Sequence, residues 1–547
     1  MAETHHPAHE ARVIVDTLRP LGAVQDDIYG HFLESAFFGN IEGGVFDEGS
    51  PLSIDEPGHL NGARKDVLEL VKELEPGAIR WPGGNFTSPY HWQDGIGQRD
   101  QRPTRLELAW GELETNRFGT DEFLAWCEAV GAEPYLVHSA LDVDEAVRWV
   151  EYTNLDRETT LVRARRRNGR EEPWNVRYWG VGNEVYGPWQ WGHRSAAQYA
   201  EDARAHAQFM RRVDPHIKLI GVGLDRRPEW TEALLNRAGT FFDYLSVHLY
   251  GATNGLWDGD DYDDVVAQSL YVEQELNAYS QLVSKAAARA GLDSPPALSF
   301  DEWTMRHLEP SSWPEPQAGD DGGVAPRELP ELRERPREFR VNRWDSRSVS
   351  DALFCAGVFH AVHRLAGHDA PVGMANPVNL VNANGLVVAR SGGAFRSTLY
   401  HIWHLYRHHT GRTVLPCVTD APSRSTSVIQ GDTRNDDGSL VTAPMTMPYL
   451  DVCATRAQDG SLRLAVINRH QEETIRLRPV LDGTGGGVPP RAHVLTLGSD
   501  VDDPHAVNTL SDPDRVGVRD LGDVESVDGG WDIPPHSVNI LNLGAAR

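Results

Sequence analysis

Cysteine is scarce in this chain. Cys127, Cys355, Cys417 and Cys453 lie far apart with no CxxC pair, so neither a disulfide framework nor a zinc site is suggested. Basic charge is also in deficit: 52 Lys and Arg face 80 Asp and Glu, a formal net charge of −28 over 547 residues. A nucleic-acid or anionic-membrane partner would need a basic footprint instead. No apolar run approaches the roughly eighteen residues needed to cross a bilayer. The first residues, Met1-Ala-Glu-Thr-His-His-Pro7, lack the basic-then-apolar order of a signal peptide. With reduced thiols, the expected compartment is cytoplasmic. Internal repeats, low-complexity tracts, a GxSxG elbow, a Walker loop and an HExxH pair are all missing. His5-His6 and His408-His409 are adjacent rather than spaced for a metal, and no metal or cofactor is expected. The acidic run Asp258–Asp264 fails as an EF-hand, because Asp263 and Ser269 stand where the Gly and Glu are required.

What is present is an ordinary globular composition, 40% hydrophobic and 24% charged, so a disordered chain is excluded. From residue 27 to 395, strand-like and helix-like segments alternate. Eight strands are expected at Ile28–Glu34, Ala78–Gly83, Pro134–Ser139, Val176–Glu184, Ile217–Gly223, Tyr244–Tyr250, Ala297–Trp303 and Val372–Leu380. Helical patterns lie between them, as at Asn61–Leu74, Glu122–Val130, Ala196–Val213, Asp264–Ala290 and Ser348–Leu365. Eight such units predict an α/β fold, a (β/α)8 TIM barrel. Beyond residue 395 short strands between Gly, Pro and Asp clusters predict a second all-β sandwich. Residues 1–26 are also strand-like and are expected to pair with 396–547, making that domain discontinuous. His307–Asp345, rich in Pro, Glu, Asp and Arg, reads as a long excursion after the seventh strand.

The chemistry of a barrel sits at the C-terminal ends of its strands. Five of those ends are polar here: Glu34; Arg80 through Asn85; Asn183-Glu184; His248 and Tyr250, two apart and so on one side of a strand; and Glu302. A lone carboxylate after a strand commonly caps the next helix, and a His–Tyr pair is commonly core hydrogen bonding. Convergence changes that balance, because burying so many polar groups for stability alone is costly. Two glutamates across a pocket suit glycoside hydrolysis, one protonated to assist the leaving oxygen and one ionised to attack or activate water. Arg80, if beside Glu302, would hold it ionised. Asn183 is placed to bond a ring hydroxyl.

Ile28-Tyr-Gly-His-Phe-Leu-Glu34, Arg80-Trp-Pro-Gly-Gly-Asn-Phe86, Asn116-Arg-Phe-Gly-Thr120, Gly180-Val-Gly-Asn-Glu184 and Ser299-Phe-Asp-Glu-Trp303 resemble, in order and over nearly the whole chain, the α-L-arabinofuranosidases of glycoside hydrolase family 51. The resemblance implies a retaining exo-glycosidase that releases terminal α-L-arabinofuranosyl residues from furanoside-containing substrates, without a cofactor. It also implies a jelly-roll-like second domain and a homo-oligomer, often a hexamer. By it, Glu184 is the general acid/base and Glu302 the nucleophile, with carboxyl groups about 5–5.5 Å apart. Glu34, Asn85 and Asn183 bind furanose hydroxyls, Arg80, His248 and Tyr250 orient and tune the carboxylates, and Trp110 packs near the sugar. The chain departs from the family's pattern at Ser35-Ala-Phe-Phe38, at Arg306 where Trp is usual, and at Asn379 where Gln reaches the exocyclic hydroxyl. These changes motivate an alternative, a β-D-galactofuranosidase, since that sugar differs in the arm at C4 and a shorter Asn379 leaves it more room. A catalytically inactive carbohydrate-binding protein is a further alternative, weighed against by retention of both glutamates.

Overall fold

In the computed structural model, described over residues 9–253, 262–307, 347–434, 440–483 and 488–545, eight parallel strands succeed one another in chain order. They are β1 (His31–Phe32), β2 (Ala78–Trp81), β3 (Glu133–His138), β4 (Tyr178–Val181), β5 (Lys218–Gly221), β6 (Tyr244–Ala252), β7 (Ala297–Arg306) and β8 (Val372–Pro377). Side chain and backbone close the ring. Asn376 Nδ2 donates to the carbonyls of His31 (2.7 Å) and Ala78 (2.8 Å), and the Leu380 amide donates to Phe32. The first strand is shorter than expected because Asp26–Tyr29 winds into a 3₁₀ turn before it. The barrel interior is filled by Ala78, Tyr135, Val137, Tyr178, Ile220 and Met374, a packed core rather than a channel.

The main helices around the strands, among the described residues, are α1 (Lys65–Glu73), α2 (Thr120–Val130), α3 (Val143–Asn154), α4 (Ala196–Val213), α5 (Pro228–Ala238), α6 (Tyr262–Arg289), α7 (Val349–Arg364) and α8 (Thr398–His409), with a short helix at Thr160–Arg167 beside α3. Their starts are written locally. Ser195 and Ser348 each cap the third amide of the helix that follows, and Asp142 accepts from Asp144 and Glu145. Gly131 ends α2 in the left-handed conformation, φ 78°, as its place in the sequence predicts. Helix α8 lies past the boundary expected at residue 395. It packs on the barrel, with Trp403 stacked on Trp303 at 5.4 Å, so the barrel's ring of helices extends to about His409. The acidic turn from Asp258 and the excursion after His307 fall mainly outside the described residues.

Most of the remaining strands form two sheets, of four and seven strands, that share one core, including Val13, Leu415, Val452, Leu464, Val466, Leu477, Trp531 and Leu541. His9–Asp16 enters this sandwich parallel to Ile475–Asp482 and antiparallel to Cys417–Asp420, so the first strand of the chain is held by segments more than 400 residues away. A hairpin of Ser423–Arg434 and Leu440–Pro448 leaves the sandwich, and its Val428 and Met447 bury in the barrel's hydrophobic cluster. The polar spacing of that hairpin gave no strand signal. Where barrel and sandwich meet, buried Asp451 accepts from Arg364 and from Arg469 (2.8 Å), with His360 3.4 Å away.

Candidate active site

The C-terminal ends of the strands bring the polar residues of the sequence together. Strand β7 carries an extra residue relative to β6, for Ser246 pairs with Ser299 but His248 pairs with Glu302. This bulge breaks the alternation and lets neighbouring carboxylates, Asp301 and Glu302, both serve the site. Arg80 on β2 is buried. It donates to Glu302 Oε1 (2.9 Å), to the Asp301 carbonyl (3.0 Å) and to Asn183 Oδ1 (2.5 Å). Tyr250 Oη donates to the other Glu302 oxygen at 2.6 Å. Burial pushes the Tyr250 phenol well above its usual range, helped by the nearby Glu302 charge, so it remains a donor.

Glu184 follows β4 in the left-handed region, φ 39°, a conformation in which a residue with a Cβ is strained. Its Oε1 lies 2.8 Å from His248 Nδ1, and its Oε2 accepts from Trp189 Nε1 at 2.7 Å. Burial pushes Glu184 up, but the hydrogen bond and charge of His248, the Trp189 donor and the Arg306 charge outweigh it, down to about 2. For His248 burial pushes down, and Glu302, Asp301 and Glu184 together hold it up to about 10. The two groups titrate as a pair that keeps one proton across neutral pH. His248 also bridges the site, with Glu302 Oε2 3.5 Å from Nδ1 and Asp301 Oδ1 3.3 Å from Nε2.

Glu34, after β1, is 3% exposed and accepts at Oε1 from the amides of Gly84 and Phe86 and from Trp110 Nε1, each at 3.1 Å. Burial, with Glu302 nearby, pushes it up to about 8 despite those donors. The backbone that cradles it depends on glycine. Gly83 has φ 149°, and a Cβ there would collide with Glu34 Cγ, while one at Gly84 would meet Glu302 Oε1 at 2.9 Å. Trp110 packs edge-on against Phe37 at 4.6 Å, which places the departure Ser35–Phe38 in the wall beside Glu34. Asn85 sits half-buried in the same loop as Gly84, its carbonyl accepting from Gln190. Asn379 is buried just after β8, between the amides that Val378 gives to Trp303 and Leu380 gives to Phe32. Its Nδ2 donates to Ala383, and its Oδ1 has no hydrogen-bond partner among the described residues.

Every residue expected at the site therefore lies at one end of the barrel. Sequence reasoning missed Asp301, Tyr135, Trp189 and Gln190. Tyr135 donates to Asp301 at 2.7 Å, and Gln190 ties Asn183 to Ser88. The signal for Trp189 and Gln190 was available only as proximity to Glu184. Glu184, His248 and Glu302 offer donor atoms within 4.8 Å of one another, the spacing of a metal site. Each donor is already engaged by a protein hydrogen bond, and Arg80 supplies positive charge directly at Glu302, so the set reads as a proton-handling cluster. The same spacing puts carboxylate oxygens of Glu184 and Glu302 in the short range that retaining glycosidases use, rather than the roughly 6.5–9.5 Å of inverting ones.

Residues 70–267 match the family Alpha-L-arabinofuranosidase 1 domain, and 331–537 the family Alpha-L-arabinofuranosidase C-terminal domain. Alpha-L-arabinofuranosidase C of Emericella nidulans is 35% identical, with 96% of each chain covered. The chain belongs to the α-L-arabinofuranosidases of glycoside hydrolase family 51. An exo-alpha-(1->6)-L-arabinofuranosidase of Bifidobacterium longum is 31% identical over 93% of this chain and 91% of that one. Among solved structures, the arabinose complex of the Thermotoga maritima α-L-arabinofuranosidase superposes with a TM-score of 0.80, at 31% identity over 98% of this chain and all of that one. The galactofuranoside alternative is not favoured by these family 51 relatives.

Proposed function

We propose that this family 51 enzyme releases terminal α-L-arabinofuranosyl residues with retention, Glu302 acting as nucleophile and Glu184 as acid/base. The observation that carries the assignment is the asymmetry of the two glutamates. Both oxygens of Glu302 accept, from Arg80 and from Tyr250, whereas Glu184 shares a proton with His248. In the first step Glu302 attacks the anomeric carbon as the leaving oxygen takes the proton of the Glu184–His248 pair. In the second, Glu184 removes a proton from water, whose oxygen displaces Glu302. The carboxylates of Glu184, Asp301 and Glu302 suit a transition state with oxocarbenium character. Glu34, protonated at neutral pH, offers a donor to a furanose hydroxyl without adding a further charge. Asn85, Asn183 and Asn379 supply further polar groups at the mouth, with Trp110 as an apolar side.

Rates on the 4-nitrophenyl glycosides of α-L-arabinofuranose and β-D-galactofuranose, measured side by side, test the substrate. Faster arabinofuranoside cleavage is expected, and faster galactofuranoside cleavage would overturn this reading. We also propose a homo-oligomer, supported by the exposed Leu106, Leu108 and Leu113 of one hairpin region, with a monomer in sedimentation velocity as the contradicting result. Four unpaired cysteines fit a reducing, cytoplasmic setting.

A further inference from the structure

Arg306 ends β7 on the same side of the strand as Glu302 and Thr304, by the two-residue period of a strand. The pairing of Tyr250 with Thr304 and of Ala252 with Arg306 makes Arg306 the diagonal neighbour of Tyr250. Its guanidinium carbon lies 3.4 Å from the centroid of the Tyr250 ring, in van der Waals contact with the π face. The hydroxyl at the far end of that ring donates to Glu302. A cation on the face draws density from the ring and strengthens the O–H as a donor. The half-buried Arg306 is thus linked to the nucleophile through one rigid side chain.

We propose that Arg306 is a positioning residue for the second half of the reaction, acting through Tyr250 to stabilise Glu302 as it departs from the sugar. The proposal rests on Glu302 being the nucleophile. In this step the oxygen of water forms a bond to the anomeric carbon and the bond from that carbon to Glu302 breaks. The electron pair stays on the Glu302 carboxylate, and the water proton passes to Glu184. Negative charge grows on Glu302, so a stronger Tyr250 donor lowers this barrier. In the first step charge leaves Glu302, and the same donor gives no such help. The Arg306 charge also reaches Glu184, where it opposes proton uptake, but His248 and Trp189 act there more strongly, whereas at Tyr250 the guanidinium is in direct contact.

The test is a comparison of Arg306→Met, which keeps bulk without charge, with Arg306→Lys, which keeps the charge. Both are assayed on 4-nitrophenyl α-L-arabinofuranoside in the steady state and by stopped flow. In Arg306→Met, kcat and KM should fall together by about tenfold, leaving kcat/KM within about twofold. Nitrophenolate should appear as a burst of about one equivalent per site, and Arg306→Lys should recover most of kcat. A parallel loss of kcat and kcat/KM without a burst, or a Met variant equal to wild type, overturns the role of Arg306. Glu302→Ala is measured alongside. If that variant is inactive, such a result removes only the role of Arg306; if it turns over normally, the nucleophile assignment falls and this inference with it.

Discussion

The molecule buries two clusters of charge, and they are built on opposite principles. At the junction of barrel and sandwich, one carboxylate, Asp451, faces Arg364, Arg469 and His360 from a regular strand, Leu450–Arg456. At the barrel mouth, Glu34, Glu184, Asp301 and Glu302 gather around Arg80 and His248, on a bulged strand, a glycine turn and a residue at φ 39°. The first cluster is saturated by its own partners. The second buries its carboxyl groups and crowds them so closely that Glu34 is held protonated, and it stores backbone strain. Such crowding is costly to the fold and useful when a bound sugar develops positive charge. Stability and chemistry are thus assigned to separate clusters, and mutations should separate them.

The largest effect is expected from Glu302→Ala, with kcat/KM on 4-nitrophenyl α-L-arabinofuranoside falling by at least about 10⁴-fold, about 5.5 kcal/mol of transition-state stabilisation. Glu184→Ala should lose about 10²–10⁴-fold in kcat. Because a good leaving group needs little protonation, its kcat/KM should hold better on a dinitrophenyl glycoside than on an alkyl one, and added azide should restore turnover. Asp451→Ala should do the converse. Arg364 keeps its pair with Glu273, but leaving the buried Arg469 without a carboxylate should cost about 3–5 kcal/mol in urea unfolding, with the specific activity of folded protein unchanged. An Asp451 variant that melts normally but loses activity would break the comparison.

The smallest effect is one of pH, and its sign differs between the clusters. Burial holds Glu34 up to about 8 in the folded state, against about 4.5 when exposed, so native protein binds the extra proton and stability declines as pH rises between these values. Glu34→Gln should therefore gain melting temperature relative to wild type from pH 5 to 8 and hold level above that. For Asp451 burial pushes up, but Arg364, Arg469 and His360 outweigh it and hold it well below 3.8, so its stabilisation is full above that pH and is lost on acidification. Melting scans of both variants from pH 3 to 9 separate the slopes.

The barrel was legible because each strand is a short apolar run that ends in a polar residue, and because helical apolar periodicity, closed at one point by Gly131, fills the spaces between. The site was legible for the same reason, since Glu34, Arg80, Glu184, His248, Tyr250 and Glu302 all stand at such ends. Asp301 was not, because strict alternation turns it away from Glu302, and only the mismatch of registers between β6 and β7 brings it back. Trp189 and Gln190 lie in a loop with no period to betray them. Nor was the Asp451 cluster visible, since its members come from a helix and two segments of the sandwich joined only by tertiary packing. The hairpin Ser423–Pro448 hides its few buried apolar residues among Ser, Thr and Arg.

The most direct measurement is to trap the intermediate. Glu184→Ala, which slows water attack, is mixed with the dinitrophenyl α-L-arabinofuranoside, quenched in acid, digested and mapped by mass spectrometry. The account predicts one pentosyl unit on the peptide that contains Glu302 and on no other. A label on a different carboxylate, or β-arabinofuranose as the first product released by wild type, would contradict it.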